Sequence, residues 1–173
     1  MKALILSAGF GTRMSPVTDF IPKPVIPVLN RPVIEYNINF LKHFGIKDLF
    51  INLHYGADKI SDLLGSGKKF GVKIKYLQES EILGTGGAIA SMGPFVSEPF
   101  VVINSDTIFD FDLDEILNSH FRSGSKVTLG VVPSSPKDPR AVIRVDENFR
   151  IVRMLDASFE KENPEGNAIF TGL

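Results

Sequence analysis

Five short apolar runs, separated by four segments of helical character, constrain this chain more than any other feature. The runs are Lys2–Ser7, Leu49–Leu53, Val72–Leu77, Phe100–Asn104 and Val127–Val132. They are rich in Val, Ile, Leu and Phe and nearly continuous, the pattern of strands buried on both faces of a parallel sheet. The segments between them are helical. Pro32–Phe44 opens on a proline, closes before Gly45, and sets Ile34, Ile38 and Leu41 on one face, widened by Val33, Phe40 and Phe44. Ala57–Leu64 offers Ile60, Leu63 and Leu64 to a core, Thr85–Met92 opens at a glycine cluster, and Leu113–Ser123 follows Asp112, an N-cap type. Such alternation predicts an α/β fold: a doubly wound, mostly parallel, Rossmann-like sheet with helices on both faces and ligands at the carboxyl ends of the strands. After Pro133 the texture changes, and Ala141–Val145 and Arg150–Leu155 read as a β-hairpin.

The first run empties into Gly9-Phe10-Gly11-Thr12-Arg13, and Pro22-Lys23-Pro24 lies ten residues beyond. Glycines let the backbone turn sharply and bring N–H groups close to an anion. Thr12 adds a hydroxyl, and Arg13 a planar charged fork that matches phosphate oxygens. Prolines on both sides of Lys23 limit where its ammonium reaches. Two cations around one glycine loop point to a polyanion, most simply a nucleoside triphosphate. The dinucleotide fingerprint fails, because Met14 stands where a small residue is needed. A Walker A loop fails too, since no Gly-Lys-Ser/Thr follows. The second cluster, Gly84-Thr85-Gly86-Gly87, fits neither pattern.

The run Leu6-Ser7-Ala8-Gly9-Phe10-Gly11-Thr12-Arg13-Met14-Ser15-Pro16-Val17-Thr18, with Pro22-Lys23-Pro24, resembles the sugar-1-phosphate nucleotidylyltransferases, or nucleotide-sugar pyrophosphorylases. It looks most like the bacterial mannose-1-phosphate guanylyltransferase and N-acetylmuramate-1-phosphate uridylyltransferase branch. The resemblance continues through Leu83-Gly84-Thr85-Gly86-Gly87-Ala88 and Val102-Ile103-Asn104-Ser105-Asp106. It implies transfer of a nucleotidyl group from GTP or UTP to a sugar 1-phosphate, with release of pyrophosphate. It further implies that Arg13 and Lys23 are catalytic, that Leu6, Ala8, Gly9, Gly11, Thr12, Arg13, Gly84 and Thr85 bind nucleotide, that Asp106 binds Mg²⁺, and that Gly172 binds sugar. Taken alone, Asp106 also reads as a cap of the next turn. Relatives have glycine where Ser105 stands. The base reader is Gln78 or Glu79: a Gln pairs with uracil, a carboxylate suits the N–H donors of guanine, and a one-residue bulge would decide between them.

One domain is expected over 1–173, with a nucleotide-binding core at 1–133 and an incomplete sugar-binding part at 134–173, implying a C-terminally truncated form. In that part the family's usual sugar-site residues are replaced at Arg140 or Ala141 and at Asp156-Ala157. Nineteen Lys and Arg against 20 Asp and Glu argue against a nucleic-acid protein. The absence of cysteine removes disulfides and thiol chemistry. No run is long enough to span a membrane, so a cytoplasmic protein is expected. A homo-oligomer is left open, and His43, His54 and His120 have no metal-ligand spacing. The other reading, from a different class, is a non-catalytic nucleotide-sugar-binding or regulatory subunit on the same fold.

Overall fold

The computed structural model describes residues 1–135, 137–138, 142–155, 157–158 and 166–173. Two compact units divide the chain, Met1–Asp114 and Glu115–Leu173. The first contains β1 (Lys2–Leu6), α1 (Val17–Phe20), the short strands β2 (Pro27–Val28) and β3 (Arg31–Pro32), α2 (Val33–His43), β4 (Asp48–Leu53), α3 (Ala57–Leu64), β5 (Lys73–Gln78), α4 (Gly84–Ala90) and β6 (Val101–Asn104). Helix α5 (Leu113–Ser123) carries the division, and its start is capped by Asp112, whose Oδ1 accepts from the Asp114 N–H at 2.9 Å.

Four strands form a fully parallel sheet in the order β5-β4-β1-β6. The chain steps outward from β1 to β4 through α2 and on to β5 through α3. It then crosses back through α4 to β6 on the far side of β1. With right-handed crossovers, this reversal of direction puts α4 on the opposite face from α2 and α3. The side chains agree. Leu4, Phe50, Ala88 and Met92 form one buried cluster, with Leu6, Leu77, Phe95 and Val102 packed against it. The alternate positions Ala3, Ile5, Ile51 and Ile103 are also buried, as are Ile34, Ile38 and Leu41 of α2 and Ile60 and Leu64 of α3. The doubly wound sheet expected from the apolar runs is the observed one. The reversal point lies at the carboxyl ends of β1 and β6, where such sheets take their ligands.

The second unit holds β7 (Val131–Pro133), β8 (Ile143–Val145), β9 (Ile151–Met154), β10 (Ala157–Ser158) and β11 (Gly166–Phe170). They form an antiparallel sheet in the order β10-β9-β8-β11-β7. The expected hairpin is β8–β9, turned by Asp146, whose Oδ1 accepts from the N–H groups of Asn148 and Arg150 at 2.9 and 2.8 Å. The run Val127–Val132 departs from expectation. Only Val131–Pro133 is strand; it is the edge of the antiparallel sheet rather than a parallel core strand, and Val127 is 73% exposed. An edge tolerates Pro133, which has no N–H to give a ladder. The positions Arg140, Ala141 and Asp156 lie outside the described residues.

Candidate active site

A cleft of about 380 Å³ opens at the carboxyl end of the parallel sheet. Its lining comes from the loops after β1, β5 and β6, from the Lys23 turn, and from Asn52 at the end of β4. All of these residues belong to the first unit.

The glycine loop is built for close approach. Gly11 has φ +68°, and a Cβ there would sit 2.9 Å from Thr18 Cγ2 and 3.3 Å from Lys23 Cβ. Thr18 is buried and closes the loop by donating its hydroxyl to the Gly11 carbonyl at 3.0 Å. Tyr55 holds the next stretch, its hydroxyl donating to the carbonyls of Thr18 at 2.9 Å and Asp19 at 3.2 Å. Among the described residues, the N–H groups of Gly9, Phe10 and Gly11 have no backbone acceptor. Free N–H groups on a loop with Arg13 beside them can receive phosphate oxygens.

Lys23 is set by its own neighbour. Gly56, at φ +64°, packs so closely under Pro22 that a Cβ there would lie 2.1 Å from Pro22 Cγ. The Lys23 ammonium forms an ion pair and hydrogen bond with Asp106 Oδ2. The other Asp106 oxygen accepts from the Thr107 hydroxyl at 3.4 Å. No bond from Asp106 to a following backbone N–H is present among the described residues, so its side chain does not act as the turn cap that it could have been. Residues 83 apart in sequence thus meet across the cleft. Ser105 is buried beside them, its N–H donating to the Leu6 carbonyl at 3.1 Å.

At the other end of the cleft, strand register decides which of Gln78 and Glu79 faces it. The β4–β5 ladder runs without a bulge from Asp48–Lys73 to Leu53–Gln78. Alternation therefore turns Gln78 away and sends Glu79 to the face shared with Leu6 and Asn52. Glu79 is buried and lines the cleft, whereas Gln78 is exposed and does not. Glu79 Oε1 accepts from Asn52 Nδ2 at 2.8 Å, and Oε2 accepts from the Leu83 N–H at 3.0 Å. Asn52 Oδ1 in turn accepts from the Ser7 N–H at 2.8 Å.

Of the residues singled out in the sequence, Leu6, Ala8, Gly9, Gly11, Arg13, Lys23, Glu79, Gly84, Thr85 and Asp106 line this cleft. Thr12 is exposed on the single turn Thr12–Met14 and does not. Gly172, with φ +94°, belongs to the second unit. Asn52, Asn104 and Ser7 were missed. A polar residue next to last in the otherwise apolar run Leu49–Leu53 is the available signal for Asn52. Two buried polar atoms have no partner among the described residues, Ser7 Oγ at the cleft and Asn37 Oδ1 on α2. Tyr36, Tyr55 and Tyr76 are half-buried; burial raises the Tyr76 pKa, and its hydroxyl donates to the Gly65 carbonyl at 2.6 Å. Among the described residues no helix is long and apolar enough to cross a membrane.

Known proteins are similar to this chain. The chain is 34% identical to the D-glycero-alpha-D-manno-heptose 1-phosphate guanylyltransferase of Campylobacter jejuni, over 98% of the chain and 75% of that protein. It is also 34% identical to the UTP–glucose-1-phosphate uridylyltransferase of Synechocystis, over 88% of the chain. A crystal structure of HddC from Yersinia pseudotuberculosis with GMP-PN superposes with a TM-score of 0.79 at 26% identity, covering 98% of this chain and 73% of that one. The chain spans 43% of the Synechocystis protein and 48% of a mannose-1-phosphate guanylyltransferase catalytic subunit beta from Dictyostelium discoideum, to which it is 35% identical over its whole length. The sequence pattern of nucleotidyl transferases matches residues 2–166, which include the glycine loop, the Lys23 turn and Asp106, and on that match the chain belongs to the nucleotidyl transferase family.

Proposed function

We propose that the cleft binds a nucleoside triphosphate and transfers its nucleotidyl group to a sugar 1-phosphate. A phosphate oxygen of the sugar attacks the α-phosphorus, the bond to the β-phosphate oxygen breaks, and pyrophosphate leaves opposite. No protein nucleophile is required, so the protein contributes position and charge. The observation that carries this reading is the meeting of Arg13, Lys23 and Asp106 around one glycine loop.

In this reading Arg13 holds the leaving pyrophosphate, and N–H groups of Gly9 and Gly11 cradle the nucleotide. Lys23 exchanges its carboxylate partner for the α-phosphate and the incoming sugar phosphate. Leu6 and Ala8 form the apolar wall for ribose and base, and Gly84 and Thr85 let the backbone approach them. Glu79 reads the base, which favours GTP over UTP, while Gln78 takes no part. Gly172 serves sugar binding.

Asp106 is the residue that would hold Mg²⁺. No group of three acidic or histidine side chains comes together among the described residues. That donor set still fits Mg²⁺, which keeps several waters and binds through one or two carboxylates plus substrate phosphates. When bound, the ion would neutralise phosphate charge. The cytoplasm is the expected setting.

Pyrophosphate release measured across the four NTPs, each with mannose, glucose and N-acetylated sugar 1-phosphates, tests the proposal. Release that needs both substrates and Mg²⁺ is expected. Binding without release for every pair would favour the non-catalytic subunit instead.

A further inference from the structure

Asn52 is buried at the carboxyl end of β4, between the strands that lead to the glycine loop and to Glu79. Its amide makes one bond in each direction: Oδ1 accepts from the Ser7 N–H at 2.8 Å, and Nδ2 donates to Glu79 Oε1 at 2.8 Å. A side-chain amide supplies an acceptor and a donor from one planar group. An aspartate would face Glu79 with a second acceptor, and an aliphatic residue would leave the Ser7 N–H and the carboxylate unmatched.

The Leu83 N–H fixes the second carboxylate oxygen at 3.0 Å. With both oxygens held, the carboxylate plane cannot turn. Two of its roughly four lone-pair sites remain for a ligand. A fixed pair of acceptors matches two neighbouring N–H donors, which guanine carries on one edge. Uracil offers one N–H between two carbonyl oxygens, so a held carboxylate repels it, whereas a mobile one could swing aside.

We infer that Asn52 is the positioning residue for base choice: it locks Glu79 into the orientation that accepts guanine and refuses uracil, and ties that reader to the root of the glycine loop at Ser7. This rests on the nucleotide-binding part of the proposed function but not on turnover. Asn52 itself need not touch the base.

The test is calorimetric binding of GTP and of UTP, without sugar phosphate, to the full chain and to Asn52→Asp, Asn52→Ala and the double variant Asn52→Asp/Glu79→Gln. The unaltered chain is expected to bind GTP roughly tenfold or more tighter than UTP, the size of one good paired contact. Asn52→Asp and Asn52→Ala should bring that ratio near one by weakening GTP alone. The double variant reverses donor and acceptor between the two residues. It should keep a near-normal Tm, so it still reports if Asn52→Asp does not fold, and its ratio should shift toward UTP. Equal weakening of both nucleotides in the folded single variants, or an unchanged ratio, would overturn the inference, as would an unaltered chain that binds both equally. Selective binding without pyrophosphate release would sustain it and overturn the transfer reading; failure to bind either nucleotide would overturn both.

Discussion

The two units solve the same problem of burying sheet in opposite ways. In the parallel sheet every residue of β4 after Asp48 is buried, and β1 is buried at Ala3, Leu4 and Ile5. In the antiparallel sheet all three residues of β7 are exposed, and β9 buries only Val152. Both faces of a parallel sheet are covered because its crossovers must lie on them, while an antiparallel sheet can leave one face wet. The difference reaches function. A sheet covered on both faces offers ligands only the carboxyl ends of its strands, and there the loops bring Arg13, Lys23, Glu79 and Asp106 into one cleft.

Removing a charge at the cleft should therefore cost chemistry and leave the fold alone. Arg13→Ala is expected to lower kcat about 10²- to 10³-fold, as for loss of a donor to developing charge, with Tm unchanged because the residue is exposed on a loop. Steady-state pyrophosphate release together with a thermal melt reads both. A kcat near that of the unaltered protein would take Arg13 out of the mechanism.

Cutting the core should do the reverse. Ile5 is fully buried, and Ile5→Ala should destabilise by about 2–5 kcal/mol in urea unfolding. Val132, 47% exposed on the antiparallel edge, should lose no more than about 0.5 kcal/mol as Val132→Ala. Similar losses at both positions would break the contrast between the sheets.

Gly56→Ala joins the two kinds of effect. Its φ of +64° and the 2.1 Å approach to Pro22 Cγ mean that the added methyl must push the Lys23 turn. A loss of about 1–2 kcal/mol is expected for the left-handed backbone. A fall in kcat beyond that of a stability-matched surface variant would show that Pro22 positions Lys23. A small effect of opposite sign belongs to the β8–β9 turn. Phe149 has φ 60° and is 86% exposed, so Phe149→Asn should stabilise by up to about 1 kcal/mol, read as a small rise in Tm.

Legibility in the sequence follows the same division. Ala57–Leu64 is bounded to the residue and the four parallel strands to within one residue at either end; β1, β4 and β6 carry a nearly unbroken apolar signature, whereas β5 alternates Lys73-Ile74-Lys75-Tyr76 and has no buried residue. Both glycine loops carry a local signature as well. The run Val127–Val132 misled because an apolar run does not say which strand will pair with it, and β7's partner, β11, begins at Gly166. The pairing of Lys23 with Asp106 has no signature in spacing, nor has the fit of Gly56 under Pro22, since both arise from the path of the chain. That Glu79 rather than Gln78 lines the cleft needed only one fact absent from the sequence, that β5 runs without a bulge.

Whether this cleft moves a nucleotidyl group is read by following the α-phosphorus. With α-labelled GTP, a sugar 1-phosphate and Mg²⁺, label is expected in an NDP-sugar, with unlabelled pyrophosphate released in equal amount and both lost in Lys23→Ala. Label that stays in the triphosphate for every sugar 1-phosphate and every base, or that appears only as free nucleotide, would contradict nucleotidyl transfer.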